Sequence, residues 1–194
     1  MTDIFREPDA ATPLTPEERD GLIPTHIALR RELNDLEQQN ILDADLWAFR
    51  RRRDPVSEPF GRGLHRRMFG RVWRWAGVYR STDKNIGVAP TAIHQRLYAA
   101  YDDFGFWQAN DTYPPDQLAV RFHHTLVVVH PFANGNGRWS RLMTDILLAR
   151  MGQSRFTYGS SSLRSDDETR RSYVQALRAA DQHDFTLLVT FARS

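Results

Sequence analysis

The segment His130-Pro131-Phe132-Ala133-Asn134-Gly135-Asn136-Gly137-Arg138-Trp139-Ser140-Arg141 gathers several reactive groups into twelve residues. An imidazole titrates near neutral pH, so His130 is a natural general base. Gly135 and Gly137 permit positive φ and a close approach of backbone to a ligand. They stand just ahead of an expected helix, where successive N–H groups converge into an anion nest. Arg138 and Arg141 are three residues apart on the first turn of that helix and share a face. Two forked guanidinium groups beside a nest suit a polyphosphate better than a single phosphate. Pro131 stiffens the loop, and Phe132 can anchor it in a core, fixing His130 relative to the nest. The implied chemistry is attack of a hydroxyl on phosphorus, with His130 accepting the proton and the nest and arginines stabilising phosphate charge. Taken singly, each feature has a blander reading: a core histidine, a glycine turn, solvated arginines. Their compression in this order favours the chemical one.

The elements that must position this segment are mostly helical. Glu7 to Pro16 reads as an extended lead-in. Thr15-Pro16-Glu17-Glu18 is a helix start, with a capping threonine, proline at the first helical position and two acids. Ile27 to Gln39 is amphipathic through Leu29, Leu33 and Leu36, and a turn at Glu37 to Ile41 separates it from a second helix, Asp43 to Arg52. Arg50 to Arg53 is a basic run, read as a solvated helix end. Asp54 to Gly63, with two prolines and two glycines, reads as a loop. A strong helix follows from Leu64 to Trp75. Val78-Tyr79-Arg80, the turn-rich Ser81 to Asn85 and Ile86-Gly87-Val88 then predict a short hairpin. Further helices are expected over Ala92 to Trp107, from Pro114-Pro115-Asp116 through His123 to Val129, over Trp139 to Met151, over Asp166 to Ala180 and over Asp184 to Ala192. The fold class is therefore all-α, a helical bundle with one short β-hairpin. No second-domain boundary is visible, so 1–194 reads as one domain, with 1–60 an N-terminal helical extension and 61–194 the core.

Composition narrows the function. The chain has 194 residues, of which 41% are hydrophobic and 26% charged, as in ordinary globular proteins. It contains no cysteine, which excludes disulfides and thiolate zinc or redox sites. No apolar run reaches membrane-span length, and Met1 to Thr12 is polar without an apolar signal core. These features lead to the expectation of a cytoplasmic protein without a membrane partner. The net charge is only +2, which gives no reason to expect nucleic-acid binding. Lys84 is the sole lysine, so nearly all positive charge is arginine.

The twelve-residue segment resembles the motif of the Fic family, HPF-x-[D/E]-G-N-G-R-x-x-R, and matches it at His130, Pro131, Phe132, Gly135, Asn136, Gly137, Arg138 and Arg141. The likeness extends outward. Leu64 to Phe69 with Trp75 to Arg80 is similar to the family's helix leading into the hairpin flap. Ile86 to Pro90 is similar to the flap's far side, and Arg171 to Leu177 to the helix after the motif. Gly21 to His26 and Glu32-Leu33-Asn34 through Asn40-Ile41 resemble a subgroup called mobile mystery protein B, whose gene neighbours one for a helix-turn-helix protein.

The resemblance implies a protein adenylyltransferase that moves AMP from ATP to a Ser, Thr or Tyr hydroxyl of a target protein. His130 would be the base. Gly135, Asn136 and Gly137 would bind the α- and β-phosphates mainly through backbone groups, Arg138 would hold the phosphates and Arg141 would meet the γ-phosphate. The flap residues Asn85, Ile86, Gly87 and Val88 would dock the target as an added strand. Mg2+ or Mn2+ would accompany ATP. Position 134 departs from the pattern: Asn134 offers one neutral oxygen where the family has a metal-holding acid, so a weaker metal seat is expected. The family's self-inhibiting [S/T]-x-x-x-E-[G/N] is also unrecognisable, because no glutamate has Ser or Thr four residues before it. Inhibition by a separate antitoxin or helix-turn-helix partner follows as an expectation. Three alternatives stay open: transfer of another nucleotide or a phosphate, a catalytically weak binding module of a mobile element, and a histidine metal site from His123, His124 and His130.

Overall fold

A computed structural model of the protein describes residues 12–50, 55–160 and 166–194. The early part of the expected lead-in and Arg51 to Arg53 of the basic run lie outside the described residues. The helices are α1 (Pro16–Arg19), α2 (Arg30–Phe49), α3 (Glu58–Phe69), α4 (Ile93–Ala109), α5 (Pro115–Val129), α6 (Asn136–Arg150), α7 (Asp166–Asp181) and α8 (Thr186–Arg193), with a 3-10 turn at Pro90–Ala92. The all-α class expected from the sequence is the one observed. The pair α5 and α6, joined by the 130–135 loop, forms the centre. Helix α4 packs on α5, α2 on α3, and the α7–α8 pair reaches α5 through α8.

Local chemistry explains most boundaries. At α1, Thr15 Oγ1 accepts from the Glu18 N–H and the Glu18 carboxylate accepts from the Thr15 N–H at 2.8 Å, a reciprocal capping box. The two helices expected over 27–52 are one helix, α2. Nothing between Arg30 and Phe49 breaks it, since the stretch holds neither glycine nor proline. Its buried stripe is Leu33, Glu37, Asn40, Ala44 and Ala48, whereas Leu29 and Leu36 are exposed. A stripe containing a glutamate and an asparagine does not read as apolar, which is why a turn was expected there.

Helix α3 begins at Glu58, inside the expected loop, with Pro59 in its first turn, where proline is tolerated. Gly61 serves close packing rather than a turn: a Cβ there would lie 2.6 Å from the Tyr101 hydroxyl and 3.2 Å from Trp139 Cζ2. Its carbonyl accepts from the Trp139 indole at 2.9 Å. The helix ends at Phe69, and Trp73 and Trp75 lie in the turns that follow.

The hairpin expected over 78–88 is a loop without paired strands. Its only ladder-like contact is an isolated bridge from Tyr79 to Phe132. The reason is Arg80, whose buried guanidinium donates to the carbonyls of His130, Thr82 and Val88. One side chain thus satisfies carbonyl groups that a strand partner would otherwise have taken.

Two apolar clusters hold the whole. The larger joins α2 to α6 around Leu64, Met68, Phe104, Phe122, Phe132 and Trp139. Fully burying a side chain of this size contributes about 1.5–3 kcal/mol. The smaller brings Ala176, Ala180, Leu188 and Phe191 of α7 and α8 against Val120 and Leu148.

Candidate active site

His130 closes α5 in the left-handed conformation, φ 49° and ψ 60°. A non-glycine residue adopts this region only when its surroundings impose it. Here the His130 carbonyl accepts from Arg80 Nε at 2.7 Å, and its N–H donates to the Leu126 carbonyl at 3.1 Å. The Arg80 N–H also donates to Pro131 O at 2.9 Å. Gly87, at φ 107°, lets the loop pass against the base: a Cβ there would lie 2.7 Å from His130 Cβ. The flap residues Asn85, Ile86, Gly87 and Val88 therefore line the same cleft as His130.

The loop after His130 is closed by a side chain. Asn136 Oδ1 accepts from the Phe132 N–H at 2.9 Å, and Asn136 Nδ2 donates to the Phe132 carbonyl at 2.8 Å. The Asn136 side chain is thus spent inside the loop, leaving its backbone for a ligand. Phe132 is fully buried and stacks on His65 at 3.6 Å between ring centroids. His65 Nδ1 accepts from the Gly77 N–H at 2.9 Å, so the other ring nitrogen, 3.0 Å from the Asn134 carbonyl, carries the proton. His65 joins α3, the turn at Gly77 and the motif loop in one contact. Sequence reasoning missed it, as it missed Arg80, because each ties its own segment to a motif-loop carbonyl far along the chain, that of Asn134 for His65 and of His130 for Arg80.

Gly135 caps α6 at φ 80°, where a Cβ would meet the Phe69 ring at 2.6 Å. Helix α6 opens at Asn136, three residues before the expected start at Trp139, so Asn136 and Gly137 present their N–H groups at its N-terminus. Gly135, Asn136, Gly137, Arg138 and Arg141 all line a cleft of about 970 Å³ shared with His130. Arg141 lies across the rings of Tyr173 and Tyr158, at 4.8 and 5.2 Å, and its buried Nε has no hydrogen-bond partner among the described residues. A guanidinium held by aromatic faces with an unmatched N–H is well prepared for an anion.

Arg138 is already partnered. Its Nη1 donates to Glu37 of α2, whose carboxylate also accepts from the Trp73 indole at 2.6 Å. An N-terminal helix thus delivers a glutamate to the first motif arginine, although no inhibitory pattern is legible around it.

The histidines do not form a metal site. His123 contacts Tyr173 Oη at 2.9 Å, His124 pairs with Asp181 at 2.8 Å, and His130 faces Thr12. No metal-binding group of His, Cys, Asp and Glu occurs among the described residues. Asn134 is a poor magnesium seat as well. Its Oδ1 accepts from the Gly135 N–H at 2.6 Å and its Nδ2 donates to the Thr12 carbonyl at 3.1 Å. The residues present do not fit a protein-held divalent ion.

Burial lowers the His130 pKa to about 4, with the Arg80 guanidinium acting in the same direction. The imidazole is neutral near pH 7 and able to accept a proton.

Comparison with known proteins agrees with this geometry. Residues 55–148 match the model of the Fic/DOC family. It is 29% identical over 133 residues to a protein adenylyltransferase Fic of Nematostella vectensis, covering 66% of this chain and 29% of that protein. It is 27% identical over 111 residues to a Fido domain-containing protein of Dictyostelium discoideum, covering 55% and 73%. In fold it is similar to the BepC protein of Bartonella tribocorum, solved with bound AMPPNP, at a TM-score of 0.69 and 12% identity, covering 92% of this chain and 97% of that one. Fic-1 of C. elegans aligns at a TM-score of 0.64 and 23% identity, covering 90% and 50%. No helix among the described residues is long and apolar enough to cross a membrane.

Proposed function

We propose that this chain transfers AMP from ATP to a hydroxyl side chain of another protein. The observation that carries the reading is the position of His130, its Nε2 2.9 Å from the Thr12 hydroxyl oxygen, in one cleft with the α6 N-terminus, Arg138 and Arg141. Relatives named protein adenylyltransferase support it. In this reading His130 takes the proton of the attacking hydroxyl. The backbone of Gly135 to Gly137 holds the α- and β-phosphates, and Arg138 and Arg141 neutralise the charge that builds on the departing pyrophosphate. The loop at Asn85 to Val88 places the target segment beside the base. A divalent ion bound with ATP would rest on the phosphates and supply further charge neutralisation. A helix-turn-helix or antitoxin partner belongs to the same proposal and rests on the subgroup likeness of Gly21 to His26 and of Glu32 through Ile41.

The test uses ATP labelled at the α- or the γ-phosphate, Mg2+ or Mn2+, and cell lysate. Protein-bound α-label that disappears with His130→Ala is the expected result. Transfer of γ-label would make the chain a phosphotransferase. No label on any protein with either metal would leave a binding module.

A further inference from the structure

Five arginines line the cleft, Arg30, Arg138, Arg141, Arg170 and Arg178, against a single carboxylate among the described residues, that of Asp181. Asp181 is paired with His124 at 2.8 Å, and Glu37 adds one further negative charge from outside the lining, through Arg138. Three helices supply the arginines. Arg138 and Arg141 stand on the first two turns of α6. Arg170 lies on α7 one turn before Tyr173, whose ring carries the Arg141 guanidinium at 4.8 Å. Arg30 opens α2, and its Nε donates to Asn34 Oδ1 at 3.1 Å. The same face of α2 carries Glu37 about two turns on, where Arg138 meets it. Helices α2 and α7 thus each bring a further guanidinium into the cleft that holds the α6 N-terminus. Arg178 is about two turns further along α7 than Arg170 and shares a face with Asp181.

Asn134 completes the pattern. Its Oδ1 accepts from the Gly135 N–H and its Nδ2 donates to the Thr12 carbonyl, so the side chain is no seat for a metal ion. Its amide also spares Arg138, whose Nη2 lies 3.5 Å from Asn134 Oδ1. A carboxylate there would pair with that guanidinium, which Glu37 already engages, and would subtract from the positive field of the cleft.

We propose that this chain holds the triphosphate of its nucleotide with arginine in place of a protein-bound metal ion. Arg30 and Arg170 join Arg138 and Arg141 on the β- and γ-phosphates, and the nucleotide binds as the metal-free anion. This inference rests on the nucleotide site of the proposed transferase and adds two binding residues to it. Guanidinium groups fork onto phosphate oxygens, stay charged at any working pH and are more weakly hydrated than an ammonium. Fixed on three helices, they neutralise charge without first collecting an ion from solution. Magnesium carried by ATP is then an accessory to transfer and not a condition of binding.

The experiment is titration calorimetry of the purified full chain with ATP and with AMP, in EDTA and in Mg2+, beside the labelled-ATP assay for transfer. ATP should bind in EDTA with an affinity within about threefold of that in Mg2+. Arg30→Gln and Arg170→Gln should each weaken metal-free ATP binding on the order of tenfold, as for one charge-assisted contact, and leave AMP affinity within about twofold. Arg30→Lys and Arg170→Lys should recover part of the loss, and Asn134→Asp should make ATP binding depend on Mg2+. ATP affinity that is lost in EDTA and restored by Mg2+ in the unaltered chain would overturn this inference and leave the transferase reading standing. Unchanged metal-free affinity in both glutamine variants would do the same. Metal-free ATP binding that answers to both arginines, without transfer of label to any protein, would overturn the transferase reading and support the arginine-held site. ATP bound under neither condition would overturn both.

Discussion

Asn134 shows how much one atom can change. Its amide nitrogen donates to Thr12, while its oxygen is engaged with the Gly135 N–H. Asn134→Asp keeps the size, removes the donor and adds a charge. Loss of the hydrogen bond costs about 1 kcal/mol, so the backbone around Thr12 to Leu14 should exchange amide hydrogens roughly fivefold faster. The new carboxylate should also lower the Mg2+ concentration needed for half-maximal transfer, as hard cations prefer charged oxygens. Hydrogen exchange by mass spectrometry and a magnesium titration measure the two effects, and a variant unchanged in both would contradict these roles. His130 illustrates the same scale: burial lowers its pKa to about 4, which keeps the ring unprotonated well into acid and also makes it a weaker base than a solvated imidazole.

At the scale of elements, α2 and α6 meet through Glu37 and Arg138. Glu37 is buried, and its carboxylate sits beside the group proposed to hold phosphate. Glu37→Gln retains an acceptor for Trp73 and removes the charge from Arg138. We expect opposite changes: stability falls by about 1–3 kcal/mol, and ATP binds more tightly, on the order of several-fold, because a competing anion is gone. Denaturant unfolding and titration calorimetry separate these outcomes, and unchanged ATP affinity would make Glu37 a purely structural tie.

The same contact marks the limit of what the sequence discloses. His130 to Arg141 is legible because its chemistry is local: base, nest and arginines are neighbours along the chain. Capping at Thr15 and the opening of α5 at Pro115 are legible for the same reason. Glu37, His65, Arg80 and Thr12 are not, since each acts on a group 50 or more residues distant. Glycine misled where it serves packing, as Gly61 does beneath Trp139. The hairpin was misread because alternation in sequence cannot reveal that an arginine will take the strand's carbonyls.

Across the whole molecule, buried imidazoles set the response to acid. Burial lowers His65 and His123 to about 3 and His130 to about 4. All three lie below their unfolded value of 6.5, so the unfolded chain binds more protons between pH 6.5 and about 4. Their contribution is complete above pH 6.5 and is lost as pH falls. Each costs about 2 kcal/mol of stability between pH 6.5 and 5. Urea unfolding at pH 7.5 and pH 5 should show a lower midpoint at the acid value, and an unchanged midpoint would mean these rings are solvated. Asp145, raised mainly by burial, acts in the opposite sense.

The contacts of the N-terminal part also set an order in time. Glu37 waits for Arg138, 101 residues later, Asp45 for Arg155, 110 residues later, and Thr12 for His130, 118 residues later. A ribosome releases the chain from its N-terminus. While only α1 to α4 have emerged, α2 carries buried-to-be Glu37 and Asn40 with no counterpart for the former's charge. The cleft assembles only when α6 arrives, so a nascent or truncated chain lacking that helix lacks the groups proposed to hold phosphate.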